Sequence, residues 1–130
     1  MFSKDDYEFL GKQILDAAFV VHKELGPGML ESIYEVCMIE ELRSKNISVH
    51  NQVSQPVFFK GKALDKTFFI DLLVEKKIII ELKAVEVLLP IHEVQLLSYM
   101  KLADIKLGYL INFNVPLLRD GIKRKINGYL

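Results

Sequence analysis

The chain has 130 residues, 51% hydrophobic and 26% charged, which suits one compact soluble domain over residues 1–130 and leaves little room for two. Seventeen Lys and Arg balance seventeen Asp and Glu, which excludes the broad positive field of a general nucleic-acid coat, so any phosphate must meet a local patch. A lone Cys37 excludes an internal disulfide, no apolar signal-peptide core follows Met1, and the longest charge-free stretch, residues 107–118, is too short for a bilayer; a cytoplasmic location with no membrane partner is expected.

Residues 5–24 carry Phe9, Leu10, Ile14, Ala17, Ala18 and Val21 at intervals of three and four, the pattern of an amphipathic helix that Gly26-Pro27-Gly28 ends. A second helix is expected over residues 30–45, with Asn46 as its C-cap. Residues 47–59 turn β-branched and aromatic, Lys60-Gly61-Lys62 supplies a turn, and residues 64–74 form the return strand of a hairpin. Glu75-Lys76-Lys77 then separates that strand from a third over residues 78–83. A helix over residues 91–103 and a strand over residues 107–113 follow. Residues 116–130 read as a short helix, because Leu118, Ile122 and Ile126 repeat at four, with Lys123-Arg124-Lys125 on its surface. The expected order is α-α-β-β-β-α-β.

Asp71 and Glu81 each interrupt an otherwise apolar strand, where an unpaired charge would cost several kcal/mol. A three-residue loop at positions 75–77 sets Val74 against Ile78, and the same register sets Asp71 opposite Glu81, with their Cβ atoms about 5 Å apart. Lys83 lies two residues beyond Glu81, so the strand period sends its ammonium to the same face. Carboxylates this close repel unless a proton or cation joins them, and hard oxygen ligands at that separation suit Mg²⁺ or Mn²⁺. The Glu-x-Lys step alone also reads as an exposed charge pair.

These residues resemble the signature of the PD-(D/E)XK nuclease superfamily: Asp71, then Glu81-Leu82-Lys83. Gly28-Met29-Leu30-Glu31-Ser32-Ile33-Tyr34 further resembles the motif of the GxxExxY proteins, a group placed in that superfamily. So do Ile70-Asp71-Leu72-Leu73-Val74, the stretch from Pro90 through Gln95 to Tyr99, and Leu110-Ile111-Asn112-Phe113-Asn114. The resemblance runs over nearly the whole chain. It implies an α/β restriction-endonuclease-like core (αβββαβ), a mixed four-stranded sheet flanked by helices, with an extra N-terminal helix.

For function, the resemblance implies Mg²⁺- or Mn²⁺-dependent hydrolysis of phosphodiester bonds, with DNA as the expected partner and RNA left open. Glu31, Asp71 and Glu81 would be the metal carboxylates, joined by the carbonyl of Leu82. Lys83 would orient or deprotonate the attacking water and offset charge on the phosphorane. Gln95 and Tyr99, four apart on one helical face, would hold substrate phosphate or water. Tyr34 reads as packing, and Glu31 also suits a helix N-terminus. Phe69 departs from the group's pattern, which has a basic or polar residue two positions before the strand aspartate. His22, His50 and His92 lack zinc-like spacing and read as solvated or capping residues.

The joint presence of Glu31, Asp71, Glu81 and Lys83 favours an enzyme. The balanced charge and short loops argue against a powerful stand-alone nuclease, and the second reading is a module that keeps the nuclease fold and binds nucleic acid or protein without cutting. A hydrolase of small nucleotides is a third reading. A homodimer is a further expectation. The densest basic cluster, Lys123-Arg124-Lys125, with Lys101 and Lys106 beside the Gln95 helix, is the candidate phosphate surface; a solvated face fits it equally.

Overall fold

A computed structural model describes all 130 residues. Helix α1 (Lys4–Leu25) opens with a capping box in which Ser3 Oγ accepts the Asp6 amide at 3.1 Å and the Asp6 carboxylate accepts the Ser3 amide at 2.7 Å. It closes at Gly26, whose φ of 65° few other residues adopt cheaply. Helix α2 (Glu31–Ser44) follows the short Gly26–Leu30 connection, so its N-terminus lies beside the end of α1.

Strands β1 (Val49–Phe59) and β2 (Lys62–Val74) form a hairpin around Lys60 and Gly61, both at positive φ, the backbone a twisted two-residue turn demands. Glu75 and Lys76, also at positive φ, turn β2 back into β3 (Ile78–Lys83). Helix α3 (Pro90–Ala103) begins on a proline suited to its first position and has His92 Nδ1 accepting the Leu89 amide at 3.1 Å. It crosses to β4 (Leu107–Asn112), which lies parallel to β3.

The sheet has five strands in the order β1-β2-β3-β4-β5, antiparallel except for β3 and β4. One face carries α1 and α2, burying Ile14, Tyr34, Met38 and Leu42 against Leu72, Ile80, Leu82 and Ile111. The other carries α3, whose Leu96 and Met100 pack on Ile70, Ile79 and Leu110. Gly108 lets α3 come close: a Cβ there would meet Met100 Sδ at 2.7 Å. No helix is long and apolar enough to cross a membrane.

The C-terminal helix expected over residues 116–130 does not form, and the sheet has five strands rather than four. Leu118–Gly121 is a single 3-10 turn, and Ile122–Ile126 is β5, antiparallel to β4. A spacing of four is also a multiple of two, so Leu118, Ile122 and Ile126 fit a strand as well as a helix. The open edge of β4 decides between them, because its backbone groups need partners.

Candidate functional site

The β2–β3 ladder runs from Val74 opposite Ile78 to Leu72 opposite Ile80, the register expected from the loop length. One step further stand Asp71 and Glu81. There the backbone ladder gives way to side chains: Glu81 Oε2 accepts the Asp71 amide at 2.9 Å, and Asp71 Oδ2 accepts the Leu82 amide at 2.8 Å. Each carboxylate thus satisfies the opposite strand where ordinary pairing ends, which is the compensation two buried acids require. Glu81 is buried, at 7% exposure, and Asp71 is half-buried.

Burial pushes the Glu81 carboxyl up to about 8, the neighbouring Asp71 charge adds to the rise, and the Asp71 amide and Lys83 oppose it. Asp71 is also raised, chiefly by removal from water, against hydrogen bonds from Leu82 and Gln52. Glu31 opens α2 from the opposite layer of the sheet. Its carboxyl is raised by partial desolvation and then by Asp71, with Lys83 pulling the other way. Glu31, Asp71, Glu81 and Lys83 therefore share one electrostatic neighbourhood.

Glu31 owes its place to Tyr34. That side chain is fully buried, its ring stacks on Phe113 at 4.5 Å, its hydroxyl donates to Gly26 O at 2.6 Å, and it accepts the Met29 amide at 3.1 Å. Tyr34 thus pins both ends of the turn that leads into α2, as its reading as a packing residue expects. On the other side of the sheet, Tyr99 stacks on Phe68 at 4.2 Å. Its hydroxyl is raised by burial and by the charges of Glu81 and Asp71, with the Gln95 carboxamide offsetting part of the rise. Tyr99 therefore lies within the electrostatic reach of both carboxylates, and Gln95 stands one turn before it on α3.

Below them, the exit of β3 is tied down by Asn112, whose carboxamide accepts the Val85 and Asn114 amides at 3.0 and 3.2 Å and donates to Val85 O at 2.9 Å. Lys83 O accepts the Phe113 amide at 3.0 Å. The strand segment carrying Leu82 and Lys83 is therefore fixed from both neighbours.

Two residues of the neighbourhood escaped the sequence reading. Gln52 Nε2 donates to Glu35 Oε1 at 2.7 Å and to Asp71 Oδ1 at 3.3 Å. Glu35, one helical turn after Glu31, was signalled by that spacing. Gln52 was not: a register irregularity between Pro56 and Phe58 shifts the hairpin, so counting back from the Lys60-Gly61 turn does not set Gln52 against Asp71.

The donor chemistry, oxygen acids only, is the type a hard divalent cation takes, and Glu31, Asp71 and Glu81 act on one another's charge, each raised above its ordinary value. No three His, Cys, Asp or Glu side chains lie together as a metal-holding group, and Asp71 and Glu81 each give one oxygen to a backbone amide.

The basic cluster is not a free patch. Arg124 pairs with Glu8 of α1 at 2.7 Å and Lys125 with Glu93 of α3 at 2.6 Å, on opposite faces of β5, leaving Lys123 alone without an ion pair. A groove of about 510 Å³ between Phe19, His22, Lys23 and residues 116–119 contains none of the carboxylates. His22 Nε2 meets Val115 O there at 2.8 Å.

The family model of the PD-(D/E)XK nuclease superfamily matches residues 8–125. Among solved structures, the crystal structure of SSO0001 is similar, with a TM-score of 0.52 at 22% identity over 95% of this chain and 61% of that one. This chain thus spans less than two thirds of that protein, and the likeness bears on fold: the restriction-endonuclease-like arrangement with an added N-terminal helix. No curated protein matches the chain.

Proposed function

This chain belongs to the PD-(D/E)XK nuclease superfamily, and we propose that it hydrolyses phosphodiester bonds of nucleic acid, DNA first, with Mg²⁺ or Mn²⁺. The observation that carries this reading is the Asp71–Glu81 pair beside Lys83. Two acids exchange amide hydrogen bonds across β2 and β3, and one of them is raised to about 8. Structural ion pairs hold acids ionised; here burial holds a proton that a cation could replace.

In this reading Glu31, Asp71, Glu81 and the carbonyl of Leu82 hold the cation, which would supply charge neutralisation for the scissile phosphate. Lys83 aligns the attacking water and stabilises the pentavalent phosphorane from the sheet side. Gln95 and Tyr99 donate hydrogen bonds to phosphate oxygens from α3. The strand segment held by Asn112 keeps Leu82 and Lys83 from moving as charge builds, which is the preorganisation such chemistry needs. The whole of residues 1–130 acts as one domain, and the reading places the protein in the cytoplasm.

A second reading, a non-cleaving module with the nuclease fold, draws on one feature: the carboxylates are already satisfied by backbone amides and form no closed metal group. A cleavage panel separates the two. Single-stranded, duplex and branched DNA and RNA are incubated with Mg²⁺ or Mn²⁺, with Lys83→Ala as control. Cutting by the wild type that chelator and Lys83→Ala both abolish supports the enzyme. Binding without cutting on every substrate supports the module.

A further inference from the structure

Gln52 is an exposed polar residue in the middle of β1, yet its φ is 47°, a left-handed backbone that a glutamine in a strand rarely takes. The β1–β2 ladder keeps one register on both sides of it, with Asn51 opposite Leu72 and Val53 opposite Ile70, and only the Gln52–Asp71 pair drops out. No residue is inserted there. The chain departs from strand geometry at one residue and resumes. That departure accompanies a single carboxamide donating to two acids, Glu35 at 2.7 Å and Asp71 at 3.3 Å. Asn51 adds a longer contact to Glu35 at 3.5 Å.

We propose that Gln52 is a positioning residue: its neutral amide separates the Glu35 and Asp71 carboxylates and holds Asp71 so that Oδ2 stays on the Leu82 amide and the side chain stays aimed at the Glu81 row. The inference rests on the metal reading above for its consequence, but its geometry stands without metal. Glu35 and Asp71 carry like charges on either side of one carboxamide and repel each other. An amide can bridge two carboxylates without adding charge, whereas a lysine there would compete with Lys83 and a carboxylate would add a third repulsion. Local backbone strain of this kind persists only where the surroundings over-determine it, and here they converge on an acid of the candidate site.

The test compares wild type with Gln52→Asn. Asparagine accepts left-handed backbone but is one methylene too short to reach both acids, so the backbone is kept and the bridge lost. In metal-free protein, exchange of the Leu82 amide, which depends on Asp71 Oδ2, should accelerate about tenfold while the amides of Leu110 and Ile111 in β4 hold their rates. Affinity for Mn²⁺ by calorimetry should fall about tenfold, and Glu35→Gln in the same chain should restore it to within about threefold, since no second charge then needs separating. Unchanged Leu82 exchange overturns the proposal, as does acceleration shared equally by the β4 amides, which would mean a general loss of stability. If wild type gives no Mn²⁺ heat while Leu82 exchange accelerates selectively, the metal reading fails and the role of Gln52 stands.

Discussion

Asp71 and Glu81 hold each other's strands: Glu81 Oε2 takes the Asp71 amide, and Asp71 Oδ2 takes the amide of Leu82, the residue after Glu81. Two acids that electrostatics would drive apart are therefore stitched together by the backbone, and the stitch is placed where the β2–β3 ladder stops at Leu72 and Ile80. A proton on Glu81 relieves the repulsion that remains.

That proton has a consequence for stability. Glu81 has a folded-state value of about 8 against an ordinary 4.5, so between those pH values the native state binds more protons than the unfolded chain, and stability falls as pH rises. The contribution is fully present below pH 4.5 and lost through pH 8. Glu81→Gln keeps an oxygen for the Asp71 amide and removes the titration. Metal-free wild type should lose roughly 4 kcal/mol between those limits that Glu81→Gln does not, as measured by denaturant unfolding across pH. Asp71 and Glu31, both also raised, tilt the remainder the same way.

Tyr34→Phe removes one hydroxyl and two hydrogen bonds, to Gly26 O and from the Met29 amide, while keeping the ring on Phe113. Unfolding free energy should drop by about 2 kcal/mol. Divalent-cation affinity should drop too, because the turn before Glu31 loosens. A stability loss without an affinity loss would remove Glu31 from the cation site.

Asn112 is 1% exposed and serves three backbone groups around the exit of β3. Asn112→Ala should cost about 3 kcal/mol by thermal or denaturant unfolding, since the Val85 amide and carbonyl are left without their partner.

The helices, the hairpin, β3 and β4 were legible from period and turn residues, because their apolar faces and their breakers agree. The opposition of Asp71 and Glu81 was legible as well, since a three-residue loop fixes a register. The C-terminus was not. A four-residue spacing fits both periods, and only the unpaired edge of β4 selects the strand. The expected helical surface for Lys123-Arg124-Lys125 went with it, because a strand sends Arg124 to α1 and Lys125 to α3, where each meets a glutamate. Gln52 was hidden by an irregularity near Pro56 that no turn residue announces.

The pairing of Arg124 and Lys125 alters what the basic cluster should do. Neutralising Lys123, Arg124 and Lys125 together should flatten the dependence of log affinity on log salt for DNA by about one unit, not the two to three expected of three free cations. A flattening near three would mean that both ion pairs open on binding.

The most direct test of the cation site is calorimetric titration of Mn²⁺ into metal-free protein at pH 8, run in two buffers of different ionisation enthalpy with Asp71→Asn alongside. Wild type should give saturable heat with a buffer-dependent enthalpy, because Glu81 releases its proton as the cation enters, and Asp71→Asn should give no saturable heat. Equal heats from the two proteins, or no heat from wild type, would contradict the cation site.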